Sequence, residues 1–157
     1  MLPKTYIETS VISYLTARPS RDQIATAHQE LTRGWWDRRR TRFDIYDSEL
    51  VVQEAARGDS AFAKARLESI VGYPVLVITP AARALADTIL QSAVLPSKAA
   101  ADALHIALAA VNGMNFLVTW NCTHIANGFI LQGVNTICRS AGLEPPIVCT
   151  PEELMEG

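Results

Sequence analysis

The chain has 157 residues, the size of one ordinary domain, and nearly half of them are hydrophobic, enough for a substantial core. Charged residues make up 19% and are scattered rather than blocked, which argues against a disordered segment. A formal net charge of -2 excludes a strong global pull towards nucleic acid or an anionic membrane, so any grip on a polyanion has to be local.

Taken in chain order, residues 4–8 read as a first strand, with Tyr6 and Ile7 at its buried end and Glu8 closing it. A short helix over 10–16 follows at once, with Val11, Ile12 and Leu15 as its inner face, and "ARPS" ends it. Asp22 is placed to cap a helix reaching about Arg40, whose apolar face reads as Ile24, Ala27, Leu31 and Trp35. Phe43, Ile45 and Tyr46 alternate with polar residues as in a short strand. Ser48 then caps a helix carrying Leu50, Val51 and Glu54, which Gly58 stops. A helix over 60–71 has Phe62, Ala65 and Ile70 as its buried side, and the β-branched run "PVLVIT" reads as a buried strand. Pro80 opens the next helix, with Leu85 and Ile89 inward. Ser97 caps an alanine-rich helix that runs to Asn112, with Gly113 just past its end. "MNFLVTW" is another buried strand, the segment after "NCTHIAN" is helical to about residue 141, "PPIVCT" is a last strand, and Pro151 starts a terminal turn. Strands separated by helices predict the α/β class, with one domain over 1–157 and a parallel sheet covered on both faces.

Cys122, Cys138 and Cys149 form no CxxC pair and no metal spacing, so they are expected to be buried, apolar, free thiols in a reducing compartment. Neither a secretory pattern nor an apolar run of about 18 residues is present, and the expectation is a soluble cytoplasmic protein without a membrane partner.

Open parallel sheets bind ligands at the carboxyl ends of their strands. Glu8 closes the first strand, Asn121 lies just past "FLVTW", Asp102 sits in the opening turns of the alanine-rich helix, and Glu54 lies on an otherwise apolar helical segment. Each alone has an ordinary explanation: a strand-end charge, a turn residue, a carboxylate near a helix N-terminus, a surface glutamate. Three carboxylates in one crevice would repel one another, and their pKa values would rise unless a cation offset the field. Mg²⁺ and Mn²⁺ accept such oxygen ligands, lower the pKa of bound water and stabilise a leaving oxygen, which is the chemistry of phosphodiester hydrolysis. No serine–histidine–acid signature and no glycine-rich phosphate loop compete with that reading.

The segments "YIETSVISYL", "SELVVQEAARGD", "KAAADALHIALAAVNGMNFLVTWNCTHIAN" and "ICRSAGLEPPIVCTPEEL" resemble, in order and over nearly the whole chain, a PIN-domain protein of the VapC type, the toxin half of type II toxin–antitoxin pairs. The resemblance implies an α/β/α sandwich with a mostly parallel sheet. It implies Mg²⁺- or Mn²⁺-dependent endoribonuclease activity on structured RNA, dimerisation, and inhibition by a small antitoxin. It places Glu8, Glu54 and Asp102 as metal-binding and catalytic acids. Asn121, with His124 beside it, stands where the family has a fourth acid, and can offer a carbonyl oxygen or hold a water. Glu8, in place of the usual Asp, carries its carboxylate about 1.5 Å farther out. Glu49 and Glu54 point about 140° apart on a helix, so only one faces the site; the family pattern selects Glu54 and leaves Glu49 solvated.

Thr9, Ser10 and Thr119 are candidates to orient carboxylates or water, and His124 to line the site. His105, one turn after Asp102, reads as a packed or hydrogen-bonded residue that could also approach a phosphate, and His28 as a surface residue. Arg33, Arg38, Arg39, Arg40 and Arg42 cluster in "TRGWWDRRRTR" and could grip RNA phosphates, or could complement the negative end of a helix. Trp35 and Trp36 diverge by about 100°, so one belongs in the core and the other on a groove for an antitoxin or second protomer. Two further readings compete with a ribonuclease toxin. One is a catalytically impaired PIN-like RNA-binding module. The other is a phosphatase or receiver-type α/β enzyme, which "IETSV" disfavours because neither a D-x-D nor an acidic pair follows the first strand.

Overall fold

The computed structural model covers residues 1–157. Its five strands are β1 (Lys4–Ile7), β2 (Asp44–Ser48), β3 (Val75–Leu76), β4 (Phe116–Val118) and β5 (Ile147–Cys149). They pair in the order β3-β2-β1-β4-β5, and every pairing is parallel. Seven α-helices connect them: α1 (Thr9–Thr16), α2 (Gln23–Arg39), α3 (Glu49–Ala55), α4 (Ser60–Ile70), α5 (Pro80–Gln91), α6 (Ala100–Val111) and α7 (Gly128–Ser140). Right-handed crossovers in that strand order put α1–α4 on one face and α5–α7 on the other. The helix contacts agree, since α1 packs against α2, α3 and α4, and α5 against α6 and α7. The result is a three-layer α/β/α sandwich. No helix is long and apolar enough to cross a membrane.

The strand order reverses between β1 and β4. The chain leaves β1 towards β2 and leaves β4 towards β5, so a crevice opens between the carboxyl ends of β1 and β4, where ligands of doubly wound sheets bind. Tyr6, Ile7, Leu117 and Val118 of these two central strands are all buried in one core with Trp35, Ile106 and Ile125. Helix α6 is buried almost all round, from Ala103 through Ala110 with only Leu104 half-exposed. Its alanines allow close approach, and truncating a fully buried side chain such as Leu108 would cost about 2–5 kcal/mol.

Several elements differ from the sequence expectation. "PVLVIT" pairs over only Val75 and Leu76, at the sheet edge, and Val75 and Val77 are exposed. A β-branched run records strand preference but not whether the strand is central. In α2 the buried residues are Gln29, Thr32 and Trp35, while Ile24 and Ala27 face solvent. The inward face is partly polar because each polar group finds a partner: Gln29 bonds the backbone at Ser20 and Arg18, and Thr32 accepts from Trp120 Nε1 at 2.7 Å. Ser97 does not cap α6, which begins after a 3-10 turn at Ser97–Ala99. In α4, Ala63 and Ile70 are buried and Phe62 only half-buried. Asp22 and Ser48 cap as expected, by accepting from Ala25 N and Val51 N. Trp35 is the core tryptophan. Trp36 is half-buried against Tyr73, under the Arg40 guanidinium. Cys138 and Cys149 are buried, and burial pushes the Cys149 thiol up to about 12; Cys122, in contrast, is exposed.

Candidate metal centre

Glu8 sits where β1 ends, and it is itself the residue that caps α1. Its Oε2 accepts from Ser10 N at 3.0 Å, although glutamate is a poor cap and Thr9 or Ser10 read as the better ones. The residue is only 6% exposed. Its other oxygen accepts from the Thr119 hydroxyl at 2.6 Å and from the Ser10 hydroxyl. Thr119 directly follows β4, so one hydrogen bond joins the ends of the two strands that flank the crevice. These charge-assisted bonds fix the carboxylate, each contributing roughly 1.5–3 kcal/mol.

Glu54 comes from the last turn of α3, and its Oε1 accepts from the Thr9 hydroxyl at 2.7 Å. The same oxygen lies 2.5 Å from Nε2 of His105, which is 3.9 Å from Glu8 Oε2. Burial would push the Glu54 carboxyl up. The hydrogen bond and charge of His105, the Thr9 hydroxyl and the charge of Arg57 outweigh it, so the carboxyl lies below its usual range.

Glu8, Glu54 and His105 thus present one ligand atom each, all within 4.8 Å of one another, in a group that could hold a metal ion. Two ionised carboxylates no farther apart than that repel by about 3 kcal/mol or more at an effective dielectric near 20. No lysine or arginine pairs with either. The Arg57 charge reaches Glu54 only from beyond salt-bridge distance, so the positive partner in contact with the group is His105 or a bound cation. The donor set of two carboxylate oxygens and one imidazole nitrogen fits a divalent first-row ion such as Mn²⁺, which accepts imidazole more readily than Mg²⁺ does.

Behind His105 stands a buried relay. Its Nδ1 is 2.6 Å from the Tyr6 hydroxyl, which is 2.8 Å from the Ser48 hydroxyl. Burial, more than the Ser48 bond that opposes it, raises the Tyr6 pKa well above the usual tyrosine range, so the hydroxyl keeps its proton. A protonated phenol can donate to Nδ1 or accept from it. The relay therefore serves either tautomer and leaves Nε2 able to donate to Glu54 or to ligate an ion.

Asp102 stands one turn before His105 on α6, outside the Glu8–Glu54–His105 group. Its Oδ1 accepts from Asn121 Nδ2 at 3.0 Å, and its Oδ2 is 2.9 Å from His124 Nδ1. Asn121 N donates to the Thr119 hydroxyl at 2.9 Å, which links this second cluster to Glu8. Glu8, Ser10, Thr119, Asn121, Asp102 and His124 form one hydrogen-bonded branch and Thr9, Glu54 and His105 another, and the two meet where His105 Nε2 lies 3.9 Å from Glu8. Glu49 is not simply solvated: its Oε2 accepts from Ile78 N at 2.8 Å and ties the segment after β3 to α3.

The metal-capable group contains His105, a role the sequence reading did not assign. The signal was the D-x-x-H spacing of Asp102 and His105, which puts both on one face of a helix. Asp47 was also unforeseen. Both its carboxylate oxygens are buried without a hydrogen-bond partner, and burial pushes its pKa up to about 7. His28 is not a surface residue but stacks on Trp120, with ring centroids 3.9 Å apart.

The arginine cluster lies elsewhere. Arg40–Arg42 lie one residue before β2, so they stand at the amino end of the sheet, a strand length of about 16 Å from its carboxyl end. Arg39 and Arg42 donate to the Gly157 carbonyl, Arg40 to Trp36 O and Arg38 to Gly34 O, while Arg33 binds the backbone at Leu15 and Ala17. No model of a known protein family matches the chain, and no curated protein matches it either.

Proposed function

We propose that this protein is a divalent-metal-dependent nuclease that hydrolyses RNA phosphodiester bonds. The observation that carries the reading is the close group of Glu8, Glu54 and His105 at the switch point of a parallel sheet, with no lysine or arginine within salt-bridge distance of it. An ion held there supplies a Lewis acid for a phosphate oxygen and lowers the pKa of a bound water. The chain's own groups do the rest. Ser10, Thr9 and Thr119 hold the carboxylates in fixed orientations, and the Tyr6–Ser48 relay holds the His105 ring. Asp102, as a carboxylate, accepts from His124 Nδ1–H, which leaves His124 Nε2 without a protein partner and open to a substrate or water. Asn121 fixes Asp102 from the other side.

The resemblance to toxins of the VapC type supports extending the reading to an RNA-cleaving toxin that pairs with itself and is restrained by a small antitoxin. Incubation of the purified protein with total RNA and Mn²⁺ or Mg²⁺ is the direct test. Metal-dependent cleavage by the wild type, lost in Glu54→Gln and Asp102→Asn, is the expected result, together with slowed growth of a host expressing the wild type. Cleavage that persists in EDTA, or that survives both substitutions, would overturn it. One observation favours a second reading, an RNA-binding module without catalysis. Asp102 is engaged by Asn121 and His124 rather than joined to the metal group, and the resemblance puts Asn121 where the family has a fourth acid. RNA binding without cleavage at any metal concentration would select it.

A further inference from the structure

An open groove of about 570 Å³ runs away from the metal centre along α1. One wall is the α1 face formed by Ser10, Ser13, Tyr14 and Ala17, residues one helical turn apart. The other is the α2 face formed by Ala25 and Gln29, and Arg18 lies at the far end. Ser10 belongs to both places, since its hydroxyl bonds Glu8 and its side chain opens the groove. Ala17 lies about 10 Å farther along the helix axis. The volume falls within the roughly 300–1,000 Å³ of small-molecule sites.

The lining is prepared for a ligand that the protein itself does not supply. The Tyr14 ring is held edge-on by His28 at 5.3 Å and Trp120 at 6.3 Å, yet its hydroxyl bonds nothing in the protein. The Ser13 hydroxyl is equally free. Arg18 is exposed and pairs with no carboxylate, and its guanidinium is steadied 5.0 Å above the Phe62 ring. Gln29, by contrast, is 5% exposed and spends its amide on the Arg18 carbonyl and Ser20 N, which fixes the segment that presents Arg18. A fixed aromatic ring, free hydroxyl groups and an unpaired guanidinium in a groove that opens from a carboxylate centre match one base, one sugar and the next phosphate of a polynucleotide strand. The molecule's other large groove, about 640 Å³ at the amino ends of β1, β4 and β5, carries Glu144 and neither lysine nor arginine.

We infer that the α1–α2 groove is a subsite for one unpaired nucleotide next to the scissile phosphate, with Tyr14 against the base and Arg18 on the phosphate beyond it. The inference rests on the nuclease reading for the location of the scissile bond. A base in a duplex cannot enter between the two helices, so the subsite selects single strands or looped-out nucleotides.

The test measures binding of fluorescein-labelled six-nucleotide RNA and DNA strands, and of the matching duplexes, by anisotropy in metal-free buffer. Wild type, Arg18→Gln and Tyr14→Ala are compared, with Mn²⁺ binding by each protein measured separately by calorimetry. Single strands should bind about tenfold or more tighter than duplexes. Each variant should lose about five- to tenfold of that affinity while keeping wild-type Mn²⁺ binding. In Arg18→Gln the slope of log K against log salt should become shallower by about 0.7, the share of one phosphate contact on a single strand. Comparison of the RNA and DNA arms identifies which sugar the groove prefers. Equal binding of strands and duplexes, or an Arg18→Gln variant with unchanged affinity and salt slope, would overturn the subsite. Absence of Mn²⁺ binding to the wild type would instead overturn the metal centre, and the strand measurements would still decide the groove.

Discussion

The two ends of the parallel sheet use charge in opposite ways. At the carboxyl end, Glu8, Glu54 and Asp102 bond hydroxyl groups, an amide and two imidazoles, and no lysine or arginine lies within salt-bridge distance of them. At the amino end, Arg38, Arg39, Arg40 and Arg42 turn to backbone carbonyls and to an indole face. The arginines satisfy groups that would otherwise be left open, whereas the acids are gathered with their charge unspent. A near-neutral total thus conceals a separation along the strand direction, and the end left electrically incomplete is the one where chemistry is expected.

The contrast can be broken most severely at the acids. The double substitution Glu8→Gln/Glu54→Gln keeps the shapes and removes both charges, and should weaken Mn²⁺ binding more than about a thousandfold in a calorimetric titration. Unchanged affinity would show that the ion, if any, binds elsewhere. Next comes Asp47, one residue before the end of β2. Its pKa, ordinarily 3.8, is pushed up to about 7 by burial. The folded state therefore holds a proton that the unfolded state has released between those values, so stability falls as pH rises from about 4 to about 7 and is level above. Asp47→Asn removes that dependence. Its advantage over the wild type in urea unfolding should grow between pH 4 and pH 8, by at most about 4 kcal/mol and by less where solvent screens the group, and a constant difference would refute the account. Thr119→Val deletes the hydroxyl that links Glu8 to Asn121, and should cost about 10- to 100-fold in Mn²⁺ affinity with the fold intact by circular dichroism. The smallest effect belongs to the amino end. Arg39→Ala or Arg42→Ala loses an exposed bond to Gly157 and should shift stability by less than about 1 kcal/mol, with Mn²⁺ and RNA binding unchanged. A large loss of RNA binding in either variant would show that the basic end also meets substrate.

This division explains what could be read from the chain alone. The end of the first strand was legible, because Glu8 follows a short apolar run, and so was the α6 face carrying Asp102, whereas β4 ends two residues earlier than "FLVTW" suggests. His105 was visible as a neighbour of Asp102, but that its ring would meet Glu54 depends on how α3 and α6 approach across the sheet, which no local pattern encodes. The clustered arginines teach the converse. Their closeness in sequence was real, yet their bearing on the site followed from strand direction, since residues that enter a parallel strand cannot be at the end where it exits. The polar inner face of α2 was hidden because hydrophobic periodicity cannot register a glutamine and a threonine whose partners arrive from elsewhere in the chain. "PVLVIT" misled for a similar reason, as its residues want a strand but its place at the margin is decided by the other four.

Glu8, Ser48 and Thr119 stand at the exits of three neighbouring strands, and each reaches the centre only because its side chain leaves the pleat on the correct side. Sliding any of these strands by a single residue would turn its contribution to the opposite face. The centre is thus a gauge of alignment: it exists only when the three strands are in step, and an ion that binds it favours that arrangement over every shifted competitor while the protein folds.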